Sequence, residues 1–186
     1  MVKGLSRLRP FMTTKSRRKI TRLPGFDYAQ EGAYFITICT HNRLCLLGEV
    51  IHQEMRLNAW GRAIESEWLQ TAKLRPYVSL DYYVIMPNHF HAVFFLQNHE
   101  RATQRVAPTK EKFPSGPAPW SVGAIVAQFK SQVTKPIKSS GRIPNSCLWQ
   151  RNYYEHVVRD EDDLNRIRQY IEDNPAIWLE DEYYSP

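Results

Sequence analysis

The chain has 186 residues, a formal net charge of +6 and 42% hydrophobic residues, a balance that fits one globular domain able to build a core without disulfides or structural metal. No apolar run approaches the roughly 18 residues of a membrane span, and the start lacks the apolar core of a secretory signal. The three cysteines, Cys39, Cys45 and Cys147, form no C-x-x-C pair and leave one over in any disulfide pairing, so a reducing, cytoplasmic setting is expected.

The positive charge is unevenly placed. Ahead of the first acidic residue, Asp27, stand eight basic ones, Lys3, Arg7, Arg9, Lys15, Arg17, Arg18, Lys19 and Arg22, whereas the remainder carries 17 basic against 19 acidic residues. Residues 1–25 therefore read as a basic arm and residues 26–182 as the single folded domain. A solvated tail or an acid-poor presequence would share this composition, but phosphate contact is the preferred reading, with Arg17, Arg18, Lys19 and Arg22 as the candidate contacts.

AYFITICT, from Ala33 to Thr40, is rich in aromatic and β-branched residues and predicts a strand. Leu46 to Ile51 is a shorter, weaker candidate. From Leu57 the period changes: Leu57, Trp60, Ile64 and Trp68 follow helical spacing, and Pro76 lies just beyond the expected end. Leu80–Met86 and His89–Gln97 then read as two strands joined through Pro87-Asn88 in a tight antiparallel hairpin. The Pro-rich stretch after Gln97 reads as a loop. Ser121 is placed to cap a helix with Val122, Ile125, Val126, Phe129 and Val133 on one apolar stripe. Lys130 lies beside that stripe, and residues 135–142, with Lys135, Lys138 and Arg142, read as a second basic loop. A strand through Val158 and a final helix opened by Asp160–Asp163, acidic residues at the positive end of a helix dipole, complete the order. It predicts an α+β fold in which helices sandwich an antiparallel sheet.

Two constellations carry chemistry. In YVIMPNHFHAVFFL, His89 and His91 stand two apart on a strand and so share one face, where two imidazoles can converge on a metal ion or a phosphate, or simply pack. In the last helix, Leu164, Ile167 and Ile171 form a narrow apolar stripe, and Tyr170 and Asn174 project side by side on its flank. They can reach a site on the sheet beneath; the bland alternative is a boundary aromatic and a helix cap before Pro175. Cys39, His41 and Cys45 invite a zinc reading, but the fourth ligand and the usual spacing are both missing.

Taken in order, TyrPheIleThr in the first strand, the His-Phe-His of residues 89–91 after its Pro-Asn turn, Trp149–His156 (WQRNYYEH) and Tyr170–Pro175 (YIEDNP) resemble the single-tyrosine transposases of the HUH nuclease superfamily. The similarity is greatest to the REP-associated tyrosine transposases of bacteria, and it spans about Pro24 to Leu179. It implies a ferredoxin-like or RRM-like HUH nuclease fold with a carboxy-terminal tyrosine-bearing helix. His89 and His91 would be the metal-binding histidines, Tyr170 the nucleophile and Asn174 a further metal ligand, with Mg²⁺ or Mn²⁺ as cofactor. The implied partner is single-stranded DNA carrying a hairpin from a palindromic repeat, in the bacterial cytoplasm at the nucleoid. Aromatic residues near Lys130, Lys135, Lys138 and Arg142 suit stacking and phosphate tracking along a single strand. A monomer is favoured over a homodimer that exchanges the tyrosine helix. Rival readings are a hairpin-DNA-binding protein without catalysis, a metal-dependent hydrolase using water, and a rolling-circle or relaxase protein.

Overall fold

A computed structural model describes residues 25–97, 117–139 and 147–184. The candidate contacts Arg17, Arg18, Lys19, Arg22 and Arg142 lie outside those residues. Strands β1 (Gly32–Cys39), β4 (Val78–Ile85), β5 (His89–Leu96) and β6 (Tyr154–Val157) form an antiparallel sheet in the order β4-β5-β1-β6, while β2 (Gly48–Ile51) and β3 (Glu54–Leu57) form a separate two-stranded ribbon. Helices α1 (Ala59–Leu74), α2 (Val122–Ser139) and α3 (Glu161–Asp173) complete the fold, which is the α+β arrangement that the patterning implied. Among the described residues no helix is long and apolar enough to cross a membrane.

The two-residue alternation of β5 distributes its side chains between two cores. Phe90, Ala92 and Phe94 join Tyr34, Ile36 and Ile38 of β1 in a large core closed by Ile64 and Trp68 of α1 and by Ile125, Phe129 and Val133 of α2. On the opposite face Val93 joins Phe35 against Leu164, Ile167 and Ile171 of α3. His89 and His91 belong to this second face, directly beneath the tyrosine-bearing helix. Burial of each α3 aliphatic side chain stabilises by about 1.5–3 kcal/mol as an upper figure. The ion pair from Arg168 Nε to Asp81 Oδ2, 2.8 Å long and partly exposed, is worth at most about 1 kcal/mol. The apolar stripe therefore seats α3, and the ion pair adjusts its register.

Local chemistry accounts for the element boundaries. Asn58 Oδ1 accepts from the backbone N–H groups of Trp60 and Gly61, opening α1, and Asp160 Oδ1 accepts from Asp163 N, opening α3, both in the manner of N-caps. The hairpin turn is confined to Pro87-Asn88, with Met86 N donating to His89 O at 2.8 Å. Two expectations are corrected. Leu57 ends β3 instead of starting a helix, because the ribbon β2–β3 and the Asn58 cap intervene. Residues 135–139 are the last turn of α2 and not a loop: Pro136 lies inside the helix, and the buried Val133 and Ile137 on either side of it hold that turn to the core, outweighing the backbone hydrogen bond that proline cannot make.

Candidate active site

His89 and His91 sit side by side on β5, ring centroids 4.5 Å apart, and both are buried. The register places Thr37 of β1 opposite His91, and Thr37 Oγ1 lies 2.8 Å from His91 Nδ1. Asn88 Oδ1 lies 2.9 Å from His89 Nδ1. Each imidazole is thus held through Nδ1, leaving Nε2 for the site. Burial pushes His89 down to about 3, an effect that the neighbouring Asn174 opposes and Arg43 reinforces. Burial, then the proximity of His89, holds His91 well below its ordinary value. Both rings are therefore neutral at physiological pH, the form that ligates metal.

Tyr170 and Asn174 do reach this pair. Tyr170 Oη lies 3.2 Å from His91 Nε2, with its ring edge-on to the imidazole at 5.1 Å and edge-on to Phe35 at 6.3 Å. Asn174, in helical conformation at the end of α3, is fully buried. It lies within electrostatic reach of His89 and Tyr170 without meeting hydrogen-bond geometry to either. Burial, followed by the Asp181 carboxylate, pushes the Tyr170 phenol well above its usual range, with Asn174 acting in the other direction.

Three residues that sequence patterning did not single out complete the site. Beyond α3 the chain turns through Trp178–Glu180 and brings Asp181 back to the histidines: Asp181 Oδ2 is 4.0 Å from His89 Nε2. Ligand atoms of His89, His91 and Asp181 all lie within 4.8 Å of one another. Tyr183 N donates to Asp181 Oδ1 at 2.6 Å, and the Tyr183 ring packs 4.7 Å from His89 and 5.9 Å from His91. Arg43 lies 4.9 Å over the Tyr183 ring and donates from Nη1 to Glu182 O at 2.8 Å. Burial lifts the Asp181 carboxyl to about 6. An acidic residue beside paired tyrosines was the only local signal, and nothing in periodicity marks a carboxylate that returns to a strand some 90 positions earlier.

The donor set fits a hard divalent cation. His89 Nε2, Asp181 Oδ2 and both polar atoms of Asn174 are buried with no hydrogen-bond partner among the described residues, an arrangement that is costly unless something fills the space between them. Neutral imidazole, carboxylate and carboxamide oxygen together suit Mg²⁺ or Mn²⁺.

The basic candidates separate. Lys135 and Lys138 are exposed on the last turn of α2. Lys130 turns inward: its Nζ donates to the backbone carbonyls of Gln150, Asn152 and Arg151 at 2.9, 3.1 and 3.5 Å. It also lies 5.7 Å from the Tyr153 ring. Burial lowers its ammonium to about 8.

A strand pair of neutral histidines thus lies beneath a tyrosine on an antiparallel-sheet α+β fold, and comparison with known proteins shows what the chain resembles. No family model matches the chain. An uncharacterized protein of Haemophilus influenzae is 37% identical over 180 residues, covering 93% of this chain and 99% of that one. A second protein of the same organism, described as "Putative REP-associated tyrosine transposase", is 25% identical over 151 residues, covering 81% of this chain and 73% of that one. A solved structure of a REP-associated tyrosine transposase bound to a REP hairpin shares the fold, with a TM-score of 0.51 and 20% identity over 88% of this chain and 73% of that one. The chain is thus similar in sequence to a protein described as a REP-associated tyrosine transposase and shares the fold of a solved one.

Proposed function

We propose that this protein is a metal-dependent nuclease and strand transferase acting on single-stranded DNA beside a hairpin, through a 5′-phosphotyrosine intermediate. The observation that carries the reading is the Tyr170 hydroxyl, 3.2 Å from His91 Nε2, at the edge of a cluster of buried ligand atoms with no partner among the described residues. His89, His91 and Asp181, with Asn174 beside them, would hold Mg²⁺ or Mn²⁺. When bound, the cation would act as a Lewis acid on the scissile phosphate and favour ionisation of a nearby phenol.

The protein's own groups define the rest of the reaction. Tyr170 Oη attacks phosphorus in line; the P–Oη bond forms as the P–O3′ bond breaks. The phenol gives up one proton and the departing 3′ oxygen takes one up, so the products are a 5′-phosphotyrosine and a free 3′ hydroxyl. His91 Nε2 lies within hydrogen-bond distance of the phenol and aligns its oxygen. The phosphodiester energy is retained in the adduct, so a 3′ hydroxyl from another end can reverse the step and join strands without ATP.

Action as a monomer is proposed, with Tyr170 and the histidines of one chain forming the site. Arg17, Arg18, Lys19 and Arg22 of the arm, with Lys135, Lys138 and Arg142, are proposed to track the DNA backbone. Lys130 contributes by holding residues 150–152 against α2. Hairpin DNA is the proposed partner because the REP-associated transposase of like fold was solved bound to a REP hairpin. The test is incubation with a hairpin oligonucleotide bearing a single-stranded flank, with and without Mn²⁺. Metal-dependent cleavage leaving a 3′ hydroxyl and a blocked 5′ end is expected. Tight hairpin binding with no cleavage under any metal would replace the enzyme by a DNA-binding protein of transposase descent.

A further inference from the structure

We infer that Asn88 is a positioning residue that sets the tautomer of His89 and ties it to the docking of the carboxy-terminal segment. The carboxamide of Asn88 is completely buried in the hairpin turn. Its Nδ2 donates to two backbone carbonyls, Tyr183 O at 2.7 Å and Arg43 O at 3.1 Å. These acceptors fix which end of the amide is which, since the flipped rotamer would set Oδ1 against two carbonyl oxygens. Oδ1 must then face His89 Nδ1, 2.9 Å away. An acceptor there requires His89 to carry its proton on Nδ1. The lone pair is left on Nε2, the atom turned toward Asp181 Oδ2 at 4.0 Å.

The chemistry explains why this side chain suits the position. An aspartate could accept from His89 but could not donate to the carbonyls, and an aliphatic residue could do neither. Arg43, whose carbonyl is one of the two acceptors, sits in left-handed conformation at φ 56, following Asn42 at φ 54. Non-glycine residues hold such a conformation at some expense, typically where the surroundings require it. Tyr183, whose carbonyl is the other acceptor, belongs to the same turn as Asp181 and bonds it through its N–H. One carboxamide thus joins three elements: the loop after β1, the strand bearing the histidines and the returning segment that carries the carboxylate.

The inference about the tautomer stands on hydrogen bonding alone; its consequence for a cation rests on the proposed metal reading. Both are tested with the full chain. Nitrogen-15 spectra of the histidine-labelled, metal-free protein should show His89 protonated on Nδ1 and bare on Nε2. Asn88→Asp should keep that tautomer, whereas Asn88→Ala should yield a mixture of the two. Mn²⁺ affinity, titrated without DNA, should fall about 10- to 100-fold in Asn88→Ala, the usual effect of losing an outer partner of a ligating histidine. Wild-type His89 protonated on Nε2 would overturn the inference without any variant, as would Asn88→Ala with unchanged tautomer and unchanged Mn²⁺ affinity. A wild-type protein with the expected tautomer that neither binds Mn²⁺ nor cleaves DNA would defeat the proposed function and leave the positioning role standing.

Discussion

Asp181→Asn tests whether the carboxylate that returns to the histidines is there for a cation. In the metal-free protein this carboxyl is lifted from its ordinary 3.8 to about 6, chiefly by burial. Such a difference corresponds to about 3 kcal/mol; relaxation toward water at the margin of the fold reduces it to about 1–2 kcal/mol. Because the folded value is the higher one, the ionised carboxylate opposes folding above about pH 6 and the penalty vanishes below pH 3.8. Asparagine keeps the shape, and its Oδ1 can still accept from Tyr183 N, but it carries no charge. In chelator at pH 7.5, Asp181→Asn should therefore be more stable than wild type by about 1–2 kcal/mol, or about 2–8 °C in Tm. The difference should disappear near pH 4, while the acid sensitivity contributed by His89 and His91 is common to both proteins and cancels. Mn²⁺ at a hundredfold excess over its Kd should add about 2.7 kcal/mol to the wild type and much less to the variant, closing or reversing the gap. Urea unfolding at the two pH values, with and without Mn²⁺, reads all of this. A variant no more stable than wild type in chelator, or one that gains as much from Mn²⁺, would refute the reasoning.

Other perturbations separate the remaining roles. His89→Ala or His91→Ala should abolish Mn²⁺-dependent nicking while hairpin affinity by gel shift stays within about threefold, since removing one imidazole leaves the DNA-tracking surface in place. Asn174→Ala should slow nicking less than either, because water can replace one ligand of a hard cation; an unchanged rate and unchanged Mn²⁺ affinity would make Asn174 a cap only. Deleting residues 1–25 should flatten the log K against log salt slope on single-stranded DNA by about 3, if about four of the arm's cations meet phosphates, with the nicking rate at saturating DNA retained. Lys130→Met should lower stability by about 1–3 kcal/mol through loss of its charge-assisted bonds to carbonyls and leave that salt slope unchanged.

Much of this arrangement was legible because it follows from local periodicity. Alternation along residues 89–96 placed both histidines on one face, and helical spacing placed Tyr170 and Asn174 on the flank of a stripe that had to bury itself. Their meeting at His91 needed only that the helix cover that face. The weak strand candidate Leu46–Ile51 corresponds to β2, whereas β3 was missed because a four-residue strand carries too little alternation to register. The extension of α2 through Pro136 was missed because tertiary burial of Val133 and Ile137 overrides the local signal of proline. Thr37 and Asp181 depend on strand register and on the path of a chain segment beyond the last helix, neither of which is written in spacing. Asn88 stands next to His89 in the sequence, but its role emerges only once the carbonyls of Arg43 and Tyr183 are known to converge on it.

The proposed function requires that Tyr170 become covalently joined to DNA. Wild-type protein and Tyr170→Phe, which differ by one oxygen, are incubated with Mn²⁺ and a hairpin oligonucleotide carrying a single-stranded flank, denatured, digested and mapped by mass spectrometry. A nucleotide-bearing peptide modified at Tyr170 is expected in the wild type, and in Tyr170→Phe neither adduct nor cleavage despite unchanged DNA binding. An adduct on Tyr183, Tyr153 or Tyr154, or cleavage that persists in Tyr170→Phe with no adduct, would contradict the proposed function.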